Sequence, residues 1–194
     1  MTPYVQSHHG AELVLQVTVA VLVVGELVQG MRVRRRASRV HLLPEVTFRL
    51  AFFAGILMLP LALSVAPDAV IPGRTVPFAV GAAVAWSGLL LRWWSFVTLG
   101  RLFTNVVKTA PDQPVVSCGP YRFVRHPSYT GLLGAIVGIG LMLGNWAGAL
   151  ASLLLVLAAL VHRIRIEERA LIDALGDDYR RFARTRARLI PFAW

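Results

Sequence analysis

The sequence has few charged side chains and a single cysteine. Only 15% of its 194 residues are charged, whereas a soluble domain has about 25%, and 56% are hydrophobic. Cys118, being alone, excludes a disulfide within the chain and a cysteine-based metal site. Too few charges remain to cover a soluble surface, and the apolar residues stand in long blocks. This composition predicts an integral membrane protein of the all-α class.

Acidic residues are scarcer than basic ones, with ten Asp and Glu against 20 Lys and Arg. A net charge of +10 taken alone would fit a nucleic-acid partner. However, the basic residues lie beside the apolar blocks, where they orient helices and contact anionic lipid. We therefore expect membrane lipids as partners, with no nucleic acid and no obligate protein partner. The first ten residues lack the basic start of a secretory signal, so we expect the first apolar block to be retained.

Five apolar blocks are long enough, with their flanks, to be transmembrane helices. They run from Leu13 to Val28, Phe48 to Val65, Val76 to Trp94, Tyr129 to Leu143 and Trp146 to Val161. Only two residues separate the last two blocks, which predicts a tight helical hairpin between the fourth and fifth spans.

The charges between the blocks predict the orientation in the cell membrane. The loop from Arg32 to Arg39 has five arginines in eight residues, which favours the cytoplasm by the positive-inside rule. Arg101 to Arg125 is cytoplasmic by the same rule, so the N-terminus is outside and the C-terminus inside. At the end of the third span we expect Arg92 to snorkel to the headgroups. We divide the chain into N-terminal helices, residues 1–98, and a core, residues 99–194.

The segment from Gly119 to Gly131 concentrates polar side chains between two apolar regions. Pro127 disfavours helical dihedrals at the preceding residue, so a helix is expected to begin just after His126. This places His126 and Tyr129 at the mouth of an apolar helix. His126 has two open interpretations, a general base or a hydrogen-bond donor to a bound carboxylate. We expect no metal role for His126, because no second ligand lies at suitable spacing nearby.

A second polar cluster, Arg163 to Arg169, follows the hairpin. Arg163 stands four residues before Glu167, so the two can pair on one helix face, and an interfacial salt bridge is the plain interpretation. Two adjacent carboxylates beside an apolar span are nevertheless costly unless they are paired or functional. Because both polar clusters flank one hairpin, they meet on one side of the membrane, and we interpret that place as an active site. The tail is predicted as an amphipathic helix from Ile166 to about Ala183, broken at Gly176.

Glycines recur along the fourth span, and Gly134 and Gly138 have GxxxG spacing. We interpret them as surfaces for close helix packing. A close backbone approach to a ligand is the alternative for Gly131, which lies near the mouth.

The segment Gly119 to Gly131 resembles the signature of the isoprenylcysteine carboxyl methyltransferase family. The end of the chain is similar in type and spacing to that family's C-terminal motif; the matching residues are Arg163, Glu167, Glu168, Leu171, Gly176, Tyr179, Phe182 and Pro191. The resemblance covers Leu99 to Pro191 and implies methyl transfer from S-adenosylmethionine to a lipophilic acceptor, with S-adenosylhomocysteine as product. It also implies a cytoplasmic cofactor pocket closed by the C-terminal helix.

Carried over by position, the resemblance assigns roles to individual residues. The implied cofactor-binding residues are Val116, Gly119, Tyr121, His126, Pro127, Tyr129 and Glu168, with His126 facing the methionine carboxylate. The implied catalytic residues are Arg163, which would bind the acceptor carboxylate, and Glu167, near the methionine ammonium or the reacting centre. No metal is implied.

Three functions stay open at this point. The first is carboxyl O-methylation of a prenylcysteine-like small molecule. In the second, the acceptor is a phospholipid or another small lipid, and for an amine Glu167 could serve as the base. The third is a non-catalytic lipid-binding or transport bundle.

Overall fold

The structure of the chain is a computed structural model that describes residues 4–36, 42–73, 75–100 and 115–191. The side chains of residues 6, 32–36 and 42–45 are outside that description. After a single turn at Tyr4–Ser7, five long helices follow: α1 His9–Arg36, α2 Leu42–Val65, α3 Thr75–Leu99, α4 Pro127–Leu143 and α5 Trp146–Arg184. Within the described residues the only β structure is two isolated bridges. The predicted all-α class is confirmed.

Each predicted apolar block lies within one of these helices, in the predicted order. By length and composition, α1, α2, α3 and α5 can each cross a membrane. With 17 residues, α4 is about 26 Å long, somewhat short of the ~30 Å hydrocarbon layer. Large apolar side chains point outwards from these helices, as with Leu57 and Val97, which are 62% and 79% exposed. Such outward apolar surface suits lipid rather than water as the surroundings.

Glycines let α3 and α4 pack backbone against backbone. An ideal Cβ on Gly81 would lie 2.6 Å from the Gly138 carbonyl oxygen, and one on Gly131 would overlap the Gly88 carbonyl. Around Gly134 there is more room, since the nearest atom, Gly88 Cα, is 3.5 Å from the Cβ position. Close packing by the α4 glycines is confirmed, but the tightest contacts are seven residues apart. The Gly131 backbone packs against α3 rather than approaching a ligand.

The hairpin between α4 and α5 is confirmed, and its two linking residues have separate tasks. Gly144 ends α4 in the left-handed conformation, with φ 71° and ψ 22°, which glycine adopts without steric cost. Asn145 begins α5, its side-chain oxygen accepting a hydrogen bond from Gly148 N at 2.9 Å. Its amide nitrogen donates to the Ala66 carbonyl at 2.8 Å, which fastens the loop after α2 to the hairpin.

The last span and the tail helix are a single element, so the prediction of a separate helix beginning at Ile166 was wrong. No glycine or proline lies between Val161 and Gly176, and the good helix formers there allow the helix to continue. The predicted break at Gly176 is confirmed, because this residue has φ 55° and ψ −127° inside α5. The second polar cluster therefore lies on a direct continuation of the span.

After α5 the chain returns to the segment that precedes α4. Val124 and Ala187 form a parallel bridge. Arg125 N donates to the Ala187 carbonyl at 2.8 Å, and His126 N donates to the Arg188 carbonyl at 3.0 Å. The tail thus holds the backbone on which the first polar cluster stands.

Candidate active site

A short 3-10 helix, Gly119–Arg122, leads into α4. Gly119 has φ 56°, and a Cβ there would lie 2.8 Å from Thr98 Oγ1, so this residue meets α3 closely. His126 caps α4 and Pro127 is its first residue, where a missing N–H costs nothing. The predicted start of the helix is confirmed, and it fixes where the polar side chains point.

The Glu168 carboxylate is the centre of a buried ionic cluster. Its Oε1 accepts from Arg125 Nη1 at 2.6 Å and lies 3.3 Å from His126 Nε2, while its Oε2 accepts from Arg188 Nε at 2.9 Å. Glu168 is only 6% exposed. Burial alone would raise the pKa of this carboxyl, but the hydrogen bonds from His126 and Arg188 and the Arg125 charge hold the pKa below its usual range. Glu168 is therefore ionised at neutral pH.

A second cluster is built on the Tyr129 hydroxyl, which joins α4 to α5. This hydroxyl donates to Glu167 Oε2 at 2.8 Å and accepts from Arg163 Nε at 2.8 Å. The Arg163 guanidinium also lies over the Phe48 ring of α2, with 4.7 Å from its central carbon to the ring centroid. The two clusters are adjacent, since the rings of His126 and Tyr129 stack with centroids 5.6 Å apart.

Two tyrosines add donors near these clusters. Burial, with the charges of neighbouring carboxylates, raises the pKa of Tyr121 and Tyr179 above the usual range, so both hydroxyls stay protonated. The Tyr179 hydroxyl lies beside the Arg125 guanidinium. Among the described residues, neither it nor Arg125 Nε makes a hydrogen bond of good geometry, although both atoms are buried. Buried donors in this condition mark a place where a further polar group would fit.

An open cleft lined by Tyr129 lies among the five long helices. Its aromatic wall comprises Phe48, Phe52, Phe53 and Phe96. Its polar lining includes Glu26, Gln29, Arg49, Arg92, Tyr129 and Arg163. Tyr129 and Arg163 thus belong both to a hydrogen-bonded cluster and to the cleft.

Residues 81–173 match the model of the isoprenylcysteine carboxyl methyltransferase (ICMT) family. Over these residues the chain is similar to the ICMT family. Protein-S-isoprenylcysteine O-methyltransferase A of Arabidopsis thaliana is 36% identical over 107 residues, which are 54% of this chain and 54% of the plant protein. Methanethiol S-methyltransferase 1 of Bradyrhizobium diazoefficiens is 31% identical over 127 residues, 65% of this chain and 44% of that protein.

The fold is similar to that of a solved structure, the eukaryotic intramembrane Ras methyltransferase ICMT. The TM-score is 0.58 at 24% identity, over 80% of this chain and 55% of that one. With this fold and its apolar helices, the chain is an integral membrane protein. It spans about half the length of the ICMT-family relatives that it matches.

The predicted site residues fall into three groups. His126 and Glu168 meet in the first cluster, and Tyr129, Glu167 and Arg163 meet in the second.

The remaining predicted residues belong to the scaffold around the clusters. Tyr121 is buried, and the negative charge of Glu167 contributes to its raised pKa. Gly119 and Pro127 shape the backbone, and among the described residues Val116 is half-buried in the segment ahead of the 3-10 helix, in neither cluster.

Sequence reasoning missed several partners in this site. It gave no role to Arg188, whose contact with Glu168 depends on the return of the tail. The expectation that Arg92 snorkels was wrong, because this residue is 5% exposed and its Nε lies 2.6 Å from Glu26 Oε1. One signal was available: Glu26 stands inside an apolar block, and a carboxylate there needs a cationic partner.

Proposed function

We propose that the chain is an S-adenosylmethionine-dependent methyltransferase whose acceptor is a lipophilic carboxylate of the prenylcysteine type. The carrying observation is the Tyr129 hydroxyl, which links the buried ionic side to the aromatic cleft through Glu167 and Arg163. A polar donor and a lipid acceptor have opposite solubilities, so their enzyme needs a polar and an apolar compartment that share a wall. The family match and the name of the plant relative agree with this function.

The residues around the ionic cluster fit the amino-acid end of the cofactor. The Tyr179 hydroxyl and Arg125 Nε, which make no hydrogen bond of good geometry among the described residues, and the protonated Tyr121 hydroxyl are donors that a carboxylate would satisfy. Glu168 already has three cationic or imidazole neighbours, so its part is to orient His126 and Arg125. When bound, S-adenosylmethionine supplies a methyl group on a sulfonium, and as the acceptor oxygen bonds to that carbon the carbon–sulfur bond breaks and leaves a neutral thioether.

The cleft supports a carboxylate on an apolar chain as acceptor. Arg163 presents a planar fork that can hold a carboxylate through two parallel hydrogen bonds. The aromatic wall provides apolar surface for the chain, and Phe53 is 38% exposed on a helix able to cross a membrane, which opens that wall towards the bilayer. A carboxylate needs no base, so these residues mainly orient the acceptor and exclude water.

We propose the cell membrane as the location, with five spans, the N-terminus outside and the site on the cytoplasmic side. The support is the arginine-rich loop at residues 32–39, which lies outside the described side chains, and the length of the helices. The division into residues 1–98 and a methyltransferase core at 99–194 stays a prediction.

The experiment is calorimetry with S-adenosylhomocysteine in detergent, followed by transfer of a labelled methyl group to a farnesylcysteine analogue. We expect binding and base-labile incorporation, because a carboxyl methyl ester hydrolyses in alkali. Absence of cofactor binding would favour the non-catalytic bundle and overturn the proposal. Transfer to phospholipid only, visible as a changed headgroup mass, would move the acceptor to a lipid amine, with Glu167 as base.

A small thiol is a second candidate acceptor, favoured by the similarity to the methanethiol S-methyltransferase over 65% of this chain. A thiol must lose its proton before it can attack, and Glu167 is the carboxylate nearest the cleft-lining Tyr129. Methanethiol in the same labelled assay distinguishes the two, because its thioether product is volatile and stable to alkali.

A further inference from the structure

An ion pair between two residues that line the cleft joins three helices. Arg92 of α3 places its Nε 2.6 Å from Oε1 of Glu26 in α1, and its Nη1 donates to the Ser128 carbonyl of α4 at 2.7 Å. The Arg92 side chain is buried and the Glu26 side chain is partly buried, with 6% and 12% exposed. The same guanidinium lies over the Phe96 ring, 4.9 Å from its centroid.

Helix association alone is a weak reason for this pair. Two charges within apolar surroundings lose their hydration, and a well-packed apolar pair of similar volume is often as stable or more so. Elsewhere α3 and α4 are already held by close glycine contacts. The ion pair instead fixes the relative orientation of the helices. A guanidinium has donors at fixed angles, and here it uses two of them on two different helices.

The Ser128 carbonyl lies where a small movement of the backbone would affect both clusters. It lies in the first turn of α4, between His126, which caps the helix, and Tyr129, whose hydroxyl meets Glu167 and Arg163. A shift of this turn would therefore move residues of both clusters. Arg92 and Tyr129 both line the cleft.

On the basis of the methyltransferase function proposed above, we infer that Arg92 is a positioning residue. It holds the first turn of α4 so that the Tyr129 hydroxyl lies between Glu167 and Arg163. Glu26 in turn orients Arg92. Neither residue acts on the reacting atoms, and both act through Tyr129.

The test uses two variants and a matched control in the full chain. Arg92→Lys keeps the charge but cannot bond both Glu26 and the Ser128 carbonyl through a rigid fork. Glu26→Leu combined with Arg92→Leu removes both charges together, so no unpaired ion is left and the fold survives. Ser95→Ala is the control, because Ser95 is fully buried one turn along α3 and its hydroxyl donates to the Leu91 carbonyl of the same helix at 2.7 Å.

We expect kcat to fall about 10- to 100-fold in Arg92→Lys and in the double variant, as for a small misplacement of an oriented group. The melting temperature should stay near that of the parent, so that the lower kcat reports a loss of orientation rather than a loss of folded protein. Ser95→Ala should keep the parent kcat. Parent-like kcat per folded molecule in the double variant would overturn the inference.

A second measurement does not depend on turnover. The chain has four tyrosines, so 3-fluorotyrosine labelling gives four fluorine resonances that single Tyr→Phe changes assign. The Tyr129 resonance should shift by more than its line width in Arg92→Lys and in the double variant, and stay in place in Ser95→Ala. An unchanged Tyr129 resonance would refute the positioning role even in a protein without activity. A parent that binds no cofactor would instead count against the proposed function alone.

Discussion

Replacing Glu168 by glutamine tests whether one buried carboxylate holds the first cluster together. Its two oxygens serve three neighbours, with Arg125 and His126 at Oε1 and Arg188 at Oε2. Glutamine has nearly the same shape but only one acceptor oxygen. Its amide nitrogen would face one of the present donors, and the negative charge would be lost. The variant therefore leaves buried cationic groups without their counter-charge.

The contacts give an order of magnitude for the loss of stability. Removing one partner of a buried ion pair costs about 3–5 kcal/mol. The Arg188 side chain is 32% exposed, so solvent screens its share and favours the lower end of that range. We expect a loss of about 3 kcal/mol, which in a chain of this size lowers the melting temperature by about 6–12 °C.

The assay is thermal unfolding in detergent at neutral pH, with Asp178→Asn as the matched control. The Asp178 side chain is 70% exposed in its pair with Arg181, so that change should cost less than ~1 kcal/mol. A Glu168→Gln variant that melts together with the control would show that the cluster contributes no stability, and the reasoning from burial would fail.

The pH dependence of stability provides a second test of the Glu168 interactions. Because the folded pKa of Glu168 is below its unfolded value, the carboxylate stabilises the fold above the unfolded pKa of about 4.3. That contribution is lost as the pH falls through the lower, folded pKa. The difference in stability between the parent and Glu168→Gln should therefore be constant near neutrality and shrink below about pH 4.3. A difference that grows in acid would contradict the direction of the shift.

Three further changes separate chemistry from scaffold. Arg163→Lys should abolish turnover while cofactor binding in calorimetry survives, because an ammonium lacks the bidentate fork; the exposed Arg165→Lys on the same helix is the control. Near-normal turnover in Arg163→Lys would show that the acceptor site lies elsewhere. Glu167→Gln should lower turnover with the melting temperature kept, and a loss confined to thiol or amine acceptors would identify it as the base. Gly138→Ala should destabilise the fold by about 1–3 kcal/mol in thermal unfolding, because its Cβ would overlap the α3 backbone. Gly134→Ala, where there is room, should be neutral or gain up to ~1 kcal/mol, and equal losses in both would refute the packing scheme.

Local features of the sequence determined much of the fold. In lipid, long apolar blocks form helices, because each backbone N–H and C=O group must find its hydrogen-bond partner within its own segment. Pro127 sets the start of α4, and Gly144 with Asn145 sets its end and the next beginning. These signals act over a few residues, so they can be recognised without knowing which other segments of the chain lie nearby. The closeness of the two polar clusters could be predicted in the same way, because both clusters flank the hairpin.

Contacts between distant segments were decided by the tertiary structure. Glu26 and Arg92 are 66 residues apart, and the sequence could show only that each charge was unusual in its place. The contact between Arg188 and Glu168 exists because the tail returns beside Val124. Equally, the tight glycine contacts fall on Gly131 and Gly138 because α3 presents Gly88 and Gly81 there. A charge in an apolar segment announces that it needs a partner, but only the packing of the helices selects which of the 20 basic residues is within reach.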